Sequence, residues 1–209
     1  MWSTPKWPAR SLKLVLSATA LAASQLILLA FSAGAAHAAT TTAIWGTPEV
    51  VPGIASLNTG GLARFFSMSC ASAGNCSASG TYIDQSGNTQ AFIVNDVNGT
   101  WGTAFEVPGT AALNNGGFAG LESISCASAG NCSAGGFLDH HTLVHAFVVR
   151  EVNGTWKTAI EVPPPAPLGP GGGTNITALS CAPRGTCSAG GSYDDKTGKT
   201  QVFVVSQSG

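Results

Sequence analysis

Hydrophobic and polar positions alternate along most of the chain beyond residue 45, and the middle of the chain shows the pattern most fully. Leu121–Cys126 is a short β-prone run, Ala127–Asn131 has turn composition, and Cys132–Leu138 is a second run. Within that run Gly135-Gly136 predicts a bulge or a close backbone approach. Asp139-His140-His141 makes a polar break. Leu143–Val149 is apolar on both faces near its end, the pattern of a buried central strand. Asn153-Gly154 then gives a strong two-residue hairpin signal, because both residues accept positive φ. Thr155–Val162 follows, with Trp156, Thr158, Ile160 and Val162 on one face, and Pro163 ends it because proline cannot donate to a strand ladder.

The same pattern occurs three times. Ser69–Ala78 (SCASAGNCSA) recurs letter for letter at Ser125–Ala134 and returns as SCAPRGTCSA at Ser180–Ala189; Trp45, Trp101 and Trp156 lie 56 and 55 residues apart. A fixed period in this range means one supersecondary unit used repeatedly, which shares its core with its neighbours. Repeats at about 45–100, 101–155 and 156–209 follow. The first gives strands at Phe65–Cys70, Cys76–Ile83, Gln90–Val97 and Thr100–Val107; the third gives Ile176–Cys181, Cys187–Tyr193 and Thr200–Val205. No window shows a 3.6-residue apolar period, so Leu57–Leu62 and Pro163–Thr174 read as loops. Phe92, Phe147 and Phe203 are core positions of the central strands, and Tyr82, Leu138 and Tyr193 are packing groups. A lone Trp strand, Thr42–Val51, precedes the first complete repeat, and the chain ends where another would be due; the first strand is expected to complete the last repeat's sheet.

The expected fold is all-β: three repeats of about 55 residues, each of about four antiparallel strands resembling a β-propeller blade. Closed propellers typically have four to eight blades. Three blades imply that two copies combine into a six-bladed ring or that the array is part of a longer one. A β-prism or a β-trefoil is the alternative architecture.

The leading residues carry a different signal. Lys6, Arg10 and Lys13 precede the apolar run Leu14–Phe31, and Ala36-His37-Ala38 supplies small residues for cleavage. Residues 1–38 read as a signal peptide cut after Ala38, residues 39–44 as a short linker, and 45–209 as the repeat domain. The alternative is an uncleaved membrane anchor, since the run is near the minimum spanning length. Without residues 1–38, six basic residues face ten acidic ones, a net of −4. No basic stripe exists, so nucleic acid is not an expected partner, and neither is a membrane after signal removal. All six cysteines lie in the repeats with the spacing C-x5-C. After an export signal, an even count reads as disulfides, and pairing within each repeat (Cys70/Cys76, Cys126/Cys132, Cys181/Cys187) is the simplest of the 15 connectivities. The spacing does not suit a thiolate zinc site.

The pattern Trp…Val-Pro…Ser-Cys-x5-Cys-Ser-Ala-x-Gly…Asn-Gly-Thr-Trp resembles repeats of exported bacterial proteins, many actinobacterial and mostly uncharacterised, with one cysteine pair per propeller-like blade. The resemblance covers nearly all of residues 45–209. It implies compartment and architecture and carries no catalytic residues onto this chain.

Chemistry-bearing motifs are sparse. No Gly-x-Ser-x-Gly elbow, Walker loop or His-Glu-x-x-His occurs. His140, His141 and His145 form the histidine cluster; on a strand His141 and His145 would share a face, with His140 opposite or in the turn. Their equivalents in the other repeats are Asp84, Gln85 and Gln90, then Asp195, Lys196 and Gln201, so a solvated polar turn is expected rather than a metal site. Asp84, Asp194 and Asp195 sit in Asp-x-x-Gly turns. Glu106 and Glu161 are expected on the solvent side of the Trp strands, beside Thr or Lys. Trp45, Trp101 and Trp156 are expected to pack between repeats, with ligand stacking as the alternative use. Asn98 and Asn153 match a glycosylation pattern but recur for the hairpin's sake. These features predict no catalytic residue, no metal and no cofactor. They favour a secreted, non-enzymatic binding or scaffold protein, with carbohydrate or a cell-surface partner as target and a homodimer completing six blades. A glycan-active hydrolase or lyase on a propeller scaffold is the competing reading.

Overall fold

The computed structural model describes residues 45–183 and 185–207. The expected signal peptide, cleavage point and linker, residues 1–44, lie outside the described residues. Residues 47–209 belong to one compact unit.

The fold is all-β, and each repeat builds an antiparallel sheet. In the first, β1 (Ala63–Ser72), β2 (Asn75–Ile83) and β3 (Thr89–Val97) lie side by side, with the short β4 (Thr100–Trp101) and β5 (Phe105–Glu106) both on β3. The second repeats this with β6 (Ala119–Ser128), β7 (Asn131–His140), β8 (Leu143–Val152), β9 (Thr155–Trp156) and β10 (Ile160–Glu161). The third has three strands, β11 (Thr174–Cys181), β12 (Cys187–Asp194) and β13 (Thr200–Ser206).

Local chemistry sets these elements. Asn98 and Gly99 take φ of 53° and 80°, and Asn153 and Gly154 take 50° and 75°, the doubly positive turn that matches strand twist. The β1–β2 ladder shifts register between Phe65 and Ser67, and the β6–β7 ladder between Leu121 and Ser123. Gly80 and Gly136 sit opposite these bulges, where a Cβ would collide with the Arg64 or Gly120 carbonyl. The bulge read into Gly135-Gly136 is therefore present, with the extra residue on the partner strand.

The Trp strand, expected as one element, is divided. Trp101 pairs with Asp96, but Glu106 pairs with Phe92, one residue out of step. The backbone lifts between them, and the Ala104 N–H turns away to the Pro52 carbonyl at 2.8 Å; Ala159 does the same to Pro108 at 2.8 Å. Two single-turn helices, α1 (Ile54–Leu57) and α2 (Thr110–Leu113), form although the sequence shows no helical period. Each follows a positive-φ glycine, Gly53 or Gly109, too short a motif to produce a helical period. The third repeat has Pro163-Pro164-Pro165 there instead. The lone strand expected at Thr42–Val51 is not formed among its described residues 45–51, so the third sheet lacks the strand it was expected to gain.

The main core lies between sheets. Ala91, Ile93 and Val107 from the first blade cluster with Leu121, Ile124, Leu138, Phe147, Val149 and Trp156 from the second. A second interface joins Ala146 and Val162 of the middle blade to Ile176 and Ala189 of the last. The first strands of the blades run beside one another and are tied by serines. The N–H of Cys126 donates to Ser69 Oγ at 3.0 Å, and that of Cys181 donates to Ser125 Oγ at 3.0 Å. Each blade thus presents a forward face to the next blade and a back face to the previous one.

Candidate functional site

Disulfides join Cys70–Cys76, Cys126–Cys132 and Cys181–Cys187, each across directly opposed positions of a hairpin. Two clefts open beside them, one at each blade boundary. The first, about 260 Å³, is lined by Ser77, Asn95 and the Asp96 segment on one side and by Cys132, Glu151 and Gly154 on the other. The second, about 300 Å³, is lined at equivalent positions by Ser133, Arg150 and Glu151, then by Cys187 and Gln207. The repeat therefore duplicates the cleft while its polar lining diverges.

The first cleft holds a graded polar chain. The Trp156 indole N–H donates to Asn95 Oδ1 at 3.3 Å, and Asn95 Nδ2 donates to Glu151 Oε1 at 2.8 Å. Glu151 is only 4% exposed, and its Oε2 is buried without a partner. Burial pushes its carboxyl above the ordinary value, and the Asn95 hydrogen bond opposes that rise. Asp96 occupies the equivalent place one blade earlier, but strand alternation puts its side chain on the opposite face of β3 from Asn95. Glu151 is therefore not paired across the cleft with the Asp96 carboxylate.

Trp156 is buried within the blade-to-blade core. Trp101 is half-buried against Phe92, Val94 and Ala104 of the first blade. Trp45 is fully exposed. Three residues equivalent in sequence thus have three different environments: among the described residues a neighbouring blade covers Trp156 and none covers Trp101.

The histidines converge differently from the strand reading. The turn is His141-Thr142, with His141 at φ 62°, so His140 pairs with Leu143 and shares a face with His145. His140 Nδ1 meets Glu161 Oε1, His145 Nδ1 lies 3.4 Å from Glu161 Oε2, and His141 stacks on His140 at 4.3 Å. Glu161 is therefore turned to the histidines and not to Thr or Lys. In the first blade the equivalent Glu106 accepts the Tyr82 hydroxyl at 3.0 Å, and burial together with that carboxylate raises the tyrosine pKa. Among the described residues no group of three or more His, Cys, Asp or Glu is arranged to hold a metal ion.

Asp84 and Asp195 close local turns. Asp195 Oδ1 accepts N–H groups of Thr197 at 2.8 Å and Lys199 at 3.1 Å, and Oδ2 accepts Gln201 Nε2 at 3.1 Å. With the Thr197 hydroxyl bond as the largest cause, these hold its pKa down to about 2. Asp84 has the same pattern with Ser86, Asn88 and Gln90, and its pKa is also lowered.

Sequence reasoning did not single out Glu151. Its one signal was a carboxylate at the same step before Asn-Gly in two repeats, Asp96-Val97-Asn98-Gly99 and Glu151-Val152-Asn153-Gly154. Burial of only the second depends on a neighbouring blade, which that local pattern does not contain.

No protein-family model matches the chain, and no curated protein does. Among solved structures the chain is similar to the Hadza microbial sialidase Hz136, at 10% identity and a TM-score of 0.52. The match covers 69% of this chain and 35% of the sialidase, so the chain spans about a third of that structure's length. The similarity is one of fold, and it supports the propeller-like reading of the three blades.

Proposed function

We propose that this is an exported repeat protein that binds a carbohydrate in the cleft between its first two blades without transforming it. The observation that carries the reading is the Glu151 carboxylate, buried at the cleft with one oxygen lacking a donor. A buried acceptor left unpartnered costs about 1–3 kcal/mol, and such a cost persists most readily where a ligand relieves it. Sugar hydroxyls are donors of the right kind, and the Asn95 amide and Ser77 hydroxyl offer further polar partners. The cleft approaches the lower end of ligand-pocket volumes, about 300 Å³, which suits one or two sugar rings.

Other features point the same way. The similar structure is that of a sialidase, so this architecture occurs in a protein named for action on a sugar. Glu151 lacks the Asp96 carboxylate as a partner across the cleft, and most glycoside hydrolases use two carboxyls. Export is supported by the leading Lys/Arg–apolar–Ala-x-Ala pattern and by three disulfides, which persist in oxidising compartments. Among the described residues no helix is long and apolar enough to cross a membrane.

Glycan-array screening followed by calorimetry tests the reading. A bound glycan recovered unchanged, with affinity reduced about tenfold by Glu151→Gln (roughly one charge-assisted hydrogen bond), is expected. Release of a cleaved product, abolished by the same substitution, would replace binding with catalysis. Wild-type affinity in the Gln variant would move the site elsewhere.

A further inference from the structure

Among the described residues, the first and last blades expose the two halves of an interface that the chain already makes twice. At each internal boundary, Leu121 or Ile176 on a back face is fully buried, and Ile124 at the next inward position is 5% exposed. Their equivalents on the first blade, Phe65 and Met68, are 49% and 55% exposed. On forward faces, Ala91, Ile93 and Ala146 are fully buried, while the equivalent Val202 and Val204 of the last blade are each 85% exposed. Large apolar residues stand at both open faces, as at the occupied ones.

We propose that a second copy of this chain docks head to tail, the forward face of each last blade on the back face of the other copy's first blade, closing a six-bladed ring. The polar register agrees with the apolar one. Ser69 and Ser125 each accept an N–H from the next blade's first cysteine. The equivalent Ser180 is exposed, and Cys70, whose N–H would answer it, is exposed at the other end. Across the first boundary Asn95 donates to Glu151. At the open ends their equivalents are Ser206 and Asp96, and Asp96 Oδ1 is buried without a donor. The segment Val51–Leu57 already covers the outer part of the first back face, as Val107–Leu113 does for the second, so what remains open is the inner part around Phe65 and Met68. Six blades fall within the four to eight of closed propellers. A head-to-tail contact that closes consumes both free faces and leaves no growing end.

The inference is independent of the carbohydrate reading, since it concerns the outer faces and not the cleft beside Glu151. Its test is sedimentation of the full chain and of two variants, Val204→Asp on the forward face and Met68→Asp on the back face. Circular dichroism serves as the check that each variant keeps its sheets. Wild type should sediment at twice the chain mass. Each variant alone should dissociate, with the dimer constant weakened by about a hundredfold or more, because a carboxylate would be buried against apolar surface. An equimolar mixture of the variants should recover dimer through the one pair of faces left intact, which a like-with-like contact would not do. A monomeric wild type, a polymer series in place of a dimer, or an association indifferent to both substitutions would overturn the proposal; the last would place it in the apolar leading segment.

Discussion

Glu151→Gln is the perturbation with the most direct physical consequence. The wild-type carboxylate is 4% exposed, receives one hydrogen bond from Asn95 at 2.8 Å, and leaves Oε2 buried and unpartnered. Its pKa is raised from the ordinary 4.5, with burial as the leading cause. A raised pKa means the folded protein holds this proton longer than the unfolded chain. The group's stabilising contribution is then complete below the unfolded value and is lost as pH climbs through the folded one. Glutamine keeps the shape and the acceptor for Asn95 but never ionises, so it stands in for the protonated acid at every pH. The two proteins should therefore be of similar stability near pH 4 and diverge above it. At pH 8 the variant should be the more stable by about 2 kcal/mol, because its neutral amide, although it lacks a partner where Oε2 lacked one, is spared the larger penalty of a buried charge. For a domain of this size that is a rise in melting temperature of about 4–8 °C. Thermal unfolding followed by circular dichroism from pH 4 to 8 measures it. A variant less stable than wild type at pH 8, or a difference that does not change with pH, would refute the claim that this carboxylate is retained against its own burial cost.

Two further outcomes follow from the packing. Leu121→Ala empties a fully buried position and should cost about 3 kcal/mol at any protein concentration, whereas Phe65→Ala, its half-exposed equivalent, should cost under about 1 kcal/mol in dilute protein; denaturant titration separates them. Removing one staple with Cys126→Ser and Cys132→Ser should lower stability by about 2 kcal/mol, since the closed loop is short, and equilibrium unfolding of the variant beside wild type, both without reductant, measures it.

The strands and their order were legible because the signals are local. Asn98-Gly99 and Asn153-Gly154 fix the β3–β4 and β8–β9 turns, alternation marks the strands, and the paired cysteines face each other across the separate β1–β2, β6–β7 and β11–β12 hairpins. The cleft was not legible. Glu151 is buried by the first blade, its partner Asn95 lying 56 residues away in sequence, and Asn95 has Arg150 as its own repeat equivalent, so no repeated pattern marks the pair. The histidines were misplaced by a single turn residue: with His141 at positive φ, His140 and not His141 joins His145 on Glu161. The divided Trp strand was hidden for a similar reason, because the Ala104 and Ala159 bonds that lift it go to prolines of the preceding segment.

The main hydrophobic core belongs to pairs of adjacent blades and not to single blades. A double-mutant cycle across the first boundary, Ile93→Ala with Leu121→Ala, tests it most directly, since both side chains are fully buried in one cluster but come from different repeats. The two losses should couple, with an interaction energy of about 1 kcal/mol or more in denaturant unfolding. Strict additivity, with each substitution melting only its own sheet, would contradict it.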